Sequence, residues 1–517
     1  MSASGVTSVP DGDQEQQAEG RRRPWELVLL LGIVALAAWL RLRQLHLVEF
    51  KLDETVAVDA ARKILHGDLP TVGLTSSVGA LNPPLFLYLT ALPLLIRDDP
   101  LAATAFVGVL AVIAAALIFF VLRPRFGALA AFAASALFAT APWAVLYGRK
   151  VWAQDMLPVF TVSLLWSLFL VLERRRTRTV LLVPVFLCIT FQLNFSALAL
   201  AVPVVAVLTY RARAVHWPAF AAGVAVAVLL LAPWLSYEAR HGFEDVVTLV
   251  TQGHGGNSSA VPGPGSIEAI RETTHVIGAI GWDYVAGTSR ALFQADAGGA
   301  WTMGRVVSFL AIALLALGLV TSATRIVRSG RVGRRWPFVE LDADGGRRAL
   351  LLVWLGGIWL SYATTAHDRV FPHYLIVTYP VSFAVQALGL ADLVASVRSR
   401  RRVAEIGGIA VLAVMVTGYV AFTLAFHRFL DKQGGTAGDY GVVYRDKADL
   451  ARTVRERGLR VADDPVLDFL VAGAMEAPAA SQRLVPVRDS MRSAEPLSCD
   501  GDLRTFGPLS VCLPAQP

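Results

Sequence analysis

A series of long apolar runs constrains this chain more than any other feature. They fall at approximately 25–44, 101–122, 126–147, 156–172, 179–193, 194–210, 216–236, 302–321, 349–365, 374–394 and 404–426. Helices of roughly 17 to 25 apolar residues cross about 30 Å of hydrocarbon, so the pattern predicts an α-helical polytopic membrane protein with about eleven transmembrane helices. Composition agrees: of 517 residues, 55% are hydrophobic and 17% charged, against about 25% charged in ordinary soluble domains. The net charge of +7 does not point to nucleic acid, because the arginines cluster between apolar runs, as cytoplasmic loops beside anionic lipid do. Residues 1–24 are mostly polar and read as a disordered cytoplasmic tail. The first run leads directly into Arg41 and Arg43 without a small-residue cleavage site, so it reads as a retained span. Three cysteines are too few for a disulfide scaffold or a Cys-rich metal site.

Charge orients the chain. The run Leu81–Ile96 is short, opens "LNPPL" and closes on Arg97-Asp98-Asp99. If it stays outside the membrane as an interfacial helix, the basic segments at 21–23, 123–125, 173–178, 210–213, 325–348 and 398–402 all fall in the cytoplasm. If it crosses, all of these but the first face outward. The first arrangement satisfies the positive-inside rule, with an inner (plasma) membrane location and a cytoplasmic N-terminus. It divides the chain into a tail (1–24), a transmembrane domain (25–428) whose first outer loop is 45–100, and an extracytoplasmic domain (429–517).

The outer segments are where structure beyond the spans is expected. "DETVAVDAARKILHG" reads as an amphipathic helix ended by Gly67. "KADLARTVRERG" reads as a helix, and "RVADDPVLDFLVAG" as a region containing a strand, giving a small α/β domain. Cys499 and Cys512 lie in that domain and can pair in an oxidising compartment; Cys188, within a span, reads as packing. The Gly/Pro-rich loop 253–266 is a floppy connector or a lid.

Three groups on the outer side can carry chemistry. Asp53 and Glu54 follow the first span, and each is either interfacial decoration or a general base. Arg149, Lys150 and Asp155 lie in "YGRKVWAQDM", where Asp155 also suits a helix N-terminus. "TAHDRVFPHY" supplies His367, Arg369, His373 and Tyr374. Arg41 crowns the first span. Cations at one mouth suit a phosphate. Carboxylates suit an acceptor's hydroxyl or amine proton, or a divalent metal ion. Asp-x-Asp at 342–344 falls on the cytoplasmic side and reads as a turn.

The order of these features resembles the C-superfamily of membrane glycosyltransferases. It runs from one span to an outer "DE", then "NPPLFLYL", then "R...A.D" closing the third span, then "YLIVTYP". The nearest likeness is to the family 39 group, the protein O-mannosyltransferases and lipid A aminoarabinose transferases, over roughly residues 25–400. The resemblance implies a polyprenyl-phosphate sugar donor and inverting transfer outside the cytoplasm to a protein, lipid or glycan acceptor. It implies an acid at Asp53 or Glu54, with Asp53 favoured as the base, and a second acid at Asp155. In the mechanism it implies, Glu54 or Asp155 would orient the acceptor or hold a metal. Arg41, Arg149, Lys150 and Arg369 would bind the donor phosphate; Asn82, His367, His373 and Tyr374 would contact substrate. Asn82 stands where many relatives carry a basic residue, and "QLNFSAL" at 192–198 stands where many have a His-containing turn. The competing reading is a lipid or polysaccharide transporter. It calls for charges deep within spans and broken helices at the midplane, whereas the charges here gather at the rim.

Overall fold

The computed structural model describes residues 24–77, 79–173, 177–252, 265–332, 339–364, 370–397, 400–475, 482–493 and 497–514. The first helices are α1 (Pro24–Leu42), α2 (Leu52–Leu65), α3 (Leu85–Leu94), α4 (Pro100–Thr140), α5 (Pro142–Tyr147) and α6 (Leu157–Leu172). The bundle continues with α7 (Leu182–Leu193), α8 (Ala201–Tyr210), α9 (Trp217–Arg240), α10 (Glu244–Gln252) and α11 (Gly265–Val276). It is completed by α12 (Gly299–Ser329), α13 (Ala343–Thr364), α14 (Val381–Ser396) and α15 (Arg401–Gln433).

Among the described residues, six helical segments are long and apolar enough to cross a membrane, or seven if the bent pair Pro372–Thr378 and α14 is one span. This is fewer than the eleven expected runs, and the difference has physical causes. Two runs, 101–122 and 126–147, share the helical segment α4, which breaks at Gly127 with φ 84°. Only glycine adopts that conformation cheaply. The break turns the chain back: Ser135 Oγ donates to the Ala115 carbonyl at 2.7 Å, and the Phe119 and Phe132 rings lie 4.7 Å apart. In a straight helix Ala115 and Ser135 would be about 30 Å apart, so α4 is two antiparallel limbs. The runs 179–193 and 194–210 form two shorter apolar helices. They are separated at Asn194, whose side chain accepts from Ser196 N.

Helix α2 matches the expected amphipathic helix; His66 follows its last residue, and Gly67 (φ 95°) then turns the chain. Helix α3 has ten residues, about 15 Å of rise, or half the hydrocarbon thickness. It is too short to cross as a straight helix by itself.

Helix α15 continues past residue 428 to Gln433 and ends at Gly434 in the left-handed region. Beyond it, α16 (Tyr444–Glu456) is the expected helix. The expected strand around 460–473 is confined to β1 (Arg460–Val461), which pairs in parallel with β2 (Leu484–Val485). From Pro465 the chain is helical instead, as α17 (Pro465–Ala472). Asp464 caps it by accepting from Val466 N and Leu467 N, and proline fits a first turn that needs no donor. Strands β3 (Val487–Asp489), β4 (Asp502–Phe506) and β5 (Leu509–Leu513) form an antiparallel sheet with β5 central. A disulfide joins Cys499 to Cys512. Cys188 is buried, its thiol donating to the Ala227 carbonyl. Asp342 accepts from Gly345 N and Asp344 pairs with Arg348, as turn and helix-start residues do.

Candidate functional site

The site is organised at the start of α2. Phe50 has φ 46°, an uncommon value for a bulky residue, and Lys51 returns to extended backbone before the helix begins. Successive helical residues project about 100° apart, so Asp53 and Glu54 cannot face the same way. Glu54 is fully buried. One of its carboxylate oxygens accepts from Lys51 N at 2.7 Å and the other from Val151 N at 2.9 Å. It bolts the N-terminus of α2 to the turn that follows α5. Burial raises its carboxyl above the ordinary range, and Glu49 adds to the rise. Both of its oxygens accept from backbone donors, so Glu54 has a structural role at the start of α2. Asp53 is exposed and sits in the first helical turn, where the helix dipole favours a carboxylate.

Asp53 lines a cavity of about 420 Å³. Its other walls include Asn82, Gln154 and Trp152, Asn194 and Ser196 from "QLNFSAL", and His373 and Tyr374. Asp53 is the one carboxylate among the described lining residues. The Asn82 amide donates to the Leu74 carbonyl at 2.7 Å; a phosphate contact from a basic side chain is absent there because asparagine carries no charge. Amides, hydroxyls and aromatic faces around an apolar hollow suit an uncharged polar group such as a sugar.

Trp152 and His373 also form one wall of a second, narrow cleft lined by Glu49, Lys150, Tyr284 and Asp439. Lys150 is buried, pairs with Glu49 and lies 3.2 Å from the centre of the Trp152 ring. Lys51 bridges Glu49 and Asp439, at 3.0 Å from each. Burial works against the Lys51 ammonium, but Glu49 and Asp439 overcome it and hold its pKa above the ordinary value. Burial likewise works against the Asp439 carboxylate, and Lys150, Lys51 and the Tyr284 hydroxyl overcome it and hold its pKa down. Sequence reasoning missed Glu49 and Asp439. Glu49 stands apart from the "DE" pair, and Asp439 lies in the tail, where its only local signal is the turn-rich "GGTAGDYG".

The two arginines expected to bind phosphate are used otherwise. Arg41 is fully buried and donates to the carbonyls of Ala37, Phe138, Ala139 and Ala144. Arg149 is buried and donates to those of Leu40, Arg41, Arg43 and Gln44. Neither lines the cavity. The reason is local: α1 and α4 both end here, and their last carbonyls need donors that a guanidinium fork supplies. Asp155 is 2% exposed and neither of its oxygens has a hydrogen-bond partner among the described residues. His367 and Arg369 lie outside the described residues. Among the described residues no three His, Cys, Asp or Glu side chains group to hold a metal ion.

The chain's full extent can be set against solved structures. ArnT from Cupriavidus metallidurans, bound to undecaprenyl phosphate, superposes with a TM-score of 0.58 at 12% identity, covering 95% of this chain and 99% of that one. The chain shares the fold of this ArnT. The apo state of the same ArnT gives a TM-score of 0.55 at 13% identity, covering 86% and 84%. Residues 81–237 match the family model described as dolichyl-phosphate-mannose-protein mannosyltransferase. That stretch begins just past Asp53 and includes Asn82, Lys150 and Asp155. No curated protein matches the chain in sequence. The C-superfamily resemblance read from motif order therefore holds at the level of fold and of this matched segment.

Proposed function

We propose that the chain is an inverting glycosyltransferase. It moves a sugar from a polyprenyl-phosphate donor to an acceptor on the extracytoplasmic side, with residues 429–517 on that same side. The observation that carries this reading is Asp53, the one carboxylate among the described residues that faces the 420 Å³ cavity. The acceptor's hydroxyl or amine attacks the sugar's anomeric carbon as the bond from that carbon to the phosphate oxygen breaks. The acceptor's proton passes to the Asp53 carboxylate, and polyprenyl phosphate leaves with the bonding electron pair. Asn82, Gln154, Asn194 and Tyr374 supply hydrogen-bonding groups for sugar and acceptor. Lys150 and Lys51 flank the leaving phosphate in place of Arg41 and Arg149 and stabilise the charge it gains. The prenyl chain lies between helices, where lipid and protein are equally good solvents for it. ArnT bound to undecaprenyl phosphate, a neighbour in fold, supports the donor class. Protein, lipid and glycan acceptors all fit the same chemistry.

The test is release of undecaprenyl phosphate from an undecaprenyl-phosphate sugar by the purified chain, with a panel of these acceptors. Asp53→Asn is expected to lower the rate by about 10²–10⁴-fold, the usual share of a general base, with the unfolding midpoint unchanged because the carboxylate is exposed. No release by wild type would count against the transferase and favour the transporter reading. Equal release by the variant would keep the enzyme class and remove Asp53 as base.

A further inference from the structure

The segment Ala437–Lys447 closes over the loop that leads into α2. Four successive carbonyls of that loop are held from it. Tyr440 Oη donates to Leu47 O, Tyr444 N donates to Val48 O at 2.7 Å, and Lys447 Nζ donates to Glu49 O and Phe50 O at 2.8 Å each. The same segment delivers Asp439. Asp439 N donates to Tyr284 O at 2.9 Å and Tyr440 N to Val285 O at 3.2 Å. The backbones meet so closely that a Cβ at Gly438 would run into Gly287 N and Val285 O. Only glycine fits such an approach, so the seat of Asp439 is built into the fold.

That seat places a carboxylate at the open edge of the charged cleft. Glu49 and Lys150 form the inner pair, each with its side chain 5% exposed. Lys51 and Asp439 form the outer pair, 22% and 30% exposed. A partly exposed ion pair holds less tightly than a buried one, so an incoming anion can replace its carboxylate partner. Arg41 and Arg149 are committed to carbonyls, and of the two lysines paired with Glu49, Lys51 is the more exposed to an incoming anion.

We propose that Asp439 is a built-in competitor for the lipid phosphate: its carboxylate occupies Lys51 until the donor's phosphate displaces it, and reclaims Lys51 to expel the product. This rests on the transferase reading. The donor is a phosphodiester with one negative charge, and the product monoester carries about −1.5 to −2 at neutral pH. The product would therefore hold the lysines more tightly than the donor does. A tethered carboxylate that reclaims Lys51 shortens its stay. The C-terminal segment thereby becomes a working part of the site, and Asp439 acts on turnover without touching the reacting atoms.

The experiment measures binding of undecaprenyl phosphate to the full-length chain in lipid nanodiscs, with undecaprenol and inorganic phosphate as separate probes. Asp439→Asn is expected to bind undecaprenyl phosphate about threefold to fivefold more tightly, the size of a partly exposed ion pair. Undecaprenol binding should not change, and inorganic phosphate should bind far more weakly than the lipid. In turnover, Asp439→Asn should lower kcat and KM together, a split that loosened structure does not produce, and Asp439→Glu should restore both. Lys51→Met, as an independent variant, should weaken undecaprenyl phosphate binding, measured below its own unfolding midpoint. Unchanged or weaker binding in Asp439→Asn, an equal gain for undecaprenol, or wild-type binding in Lys51→Met would overturn the inference. Absence of both undecaprenyl phosphate binding and transfer in the wild type would instead sink the transferase reading.

Discussion

Arg41 and Arg149 form a reciprocal clasp at the end of α1. Arg41 reaches out to the carbonyls of Phe138, Ala139 and Ala144, and Arg149 reaches back to those of Leu40, Arg41, Arg43 and Gln44. Each charge is satisfied by backbone from the segment that carries the other. Arg149→Lys should therefore fail to rescue, because an ammonium cannot reproduce the fork. Arg41→Met and Arg149→Lys should each cost about 3 kcal/mol or more, since buried carbonyls lose their donors. Thermal unfolding in nanodiscs checks this. A wild-type midpoint accompanied by weakened undecaprenyl phosphate binding would return these arginines to the donor site.

Glu54 and Asp53 should separate cleanly. Glu54→Gln retains one acceptor oxygen where two backbone donors need one each, at Lys51 N and Val151 N. Stability should fall by about 1–3 kcal/mol, the cost of a buried unsatisfied donor. Transfer, measured below the lowered midpoint, should persist. Loss of transfer with stability intact would make Glu54 the base.

Lys447 ties stability to pH. Burial lowers its pKa from 10.5 to about 8, against the opposing pull of Asp464, Glu49 and Glu54. Between the folded value near 8 and the ordinary unfolded value, the unfolded chain binds more protons, so stability should rise with pH in that window. The rise is at most about 3 kcal/mol, at 1.36 kcal/mol per unit. Unfolding midpoints from pH 7.5 to 10 should climb in wild type and flatten in Lys447→Met. Equal slopes would mean that Lys447 is not the titrating group.

Reducing the Cys499–Cys512 disulfide should loosen the sheet of β3, β4 and β5 without opening the helical bundle. The bridge spans a sequence separation of 13, for which loop closure is worth about 3 kcal/mol. Limited proteolysis with and without a reductant should cut faster near residues 487–513 in the reduced protein. Equal cutting would show the sheet to be independent of the bridge.

The sequence by itself determined that this is a bundle of apolar helices, because a run long enough to cross hydrocarbon is a local property of its residues. Local signals also placed the α2 helix, the short α3 segment, the α16 helix and the pairing of Cys499 with Cys512. Motif order pointed to the superfamily and to Asp53. Only the tertiary structure decided what each charge does. It sent Arg41 and Arg149 to backbone carbonyls and turned Glu54 inward one residue from Asp53. It also brought Asp439 to Lys51 across nearly the whole chain. A charge's role depends on which partners reach it and how much water they leave. Those partners lie far apart in sequence, here residues 51 and 439, and no local pattern encodes their meeting.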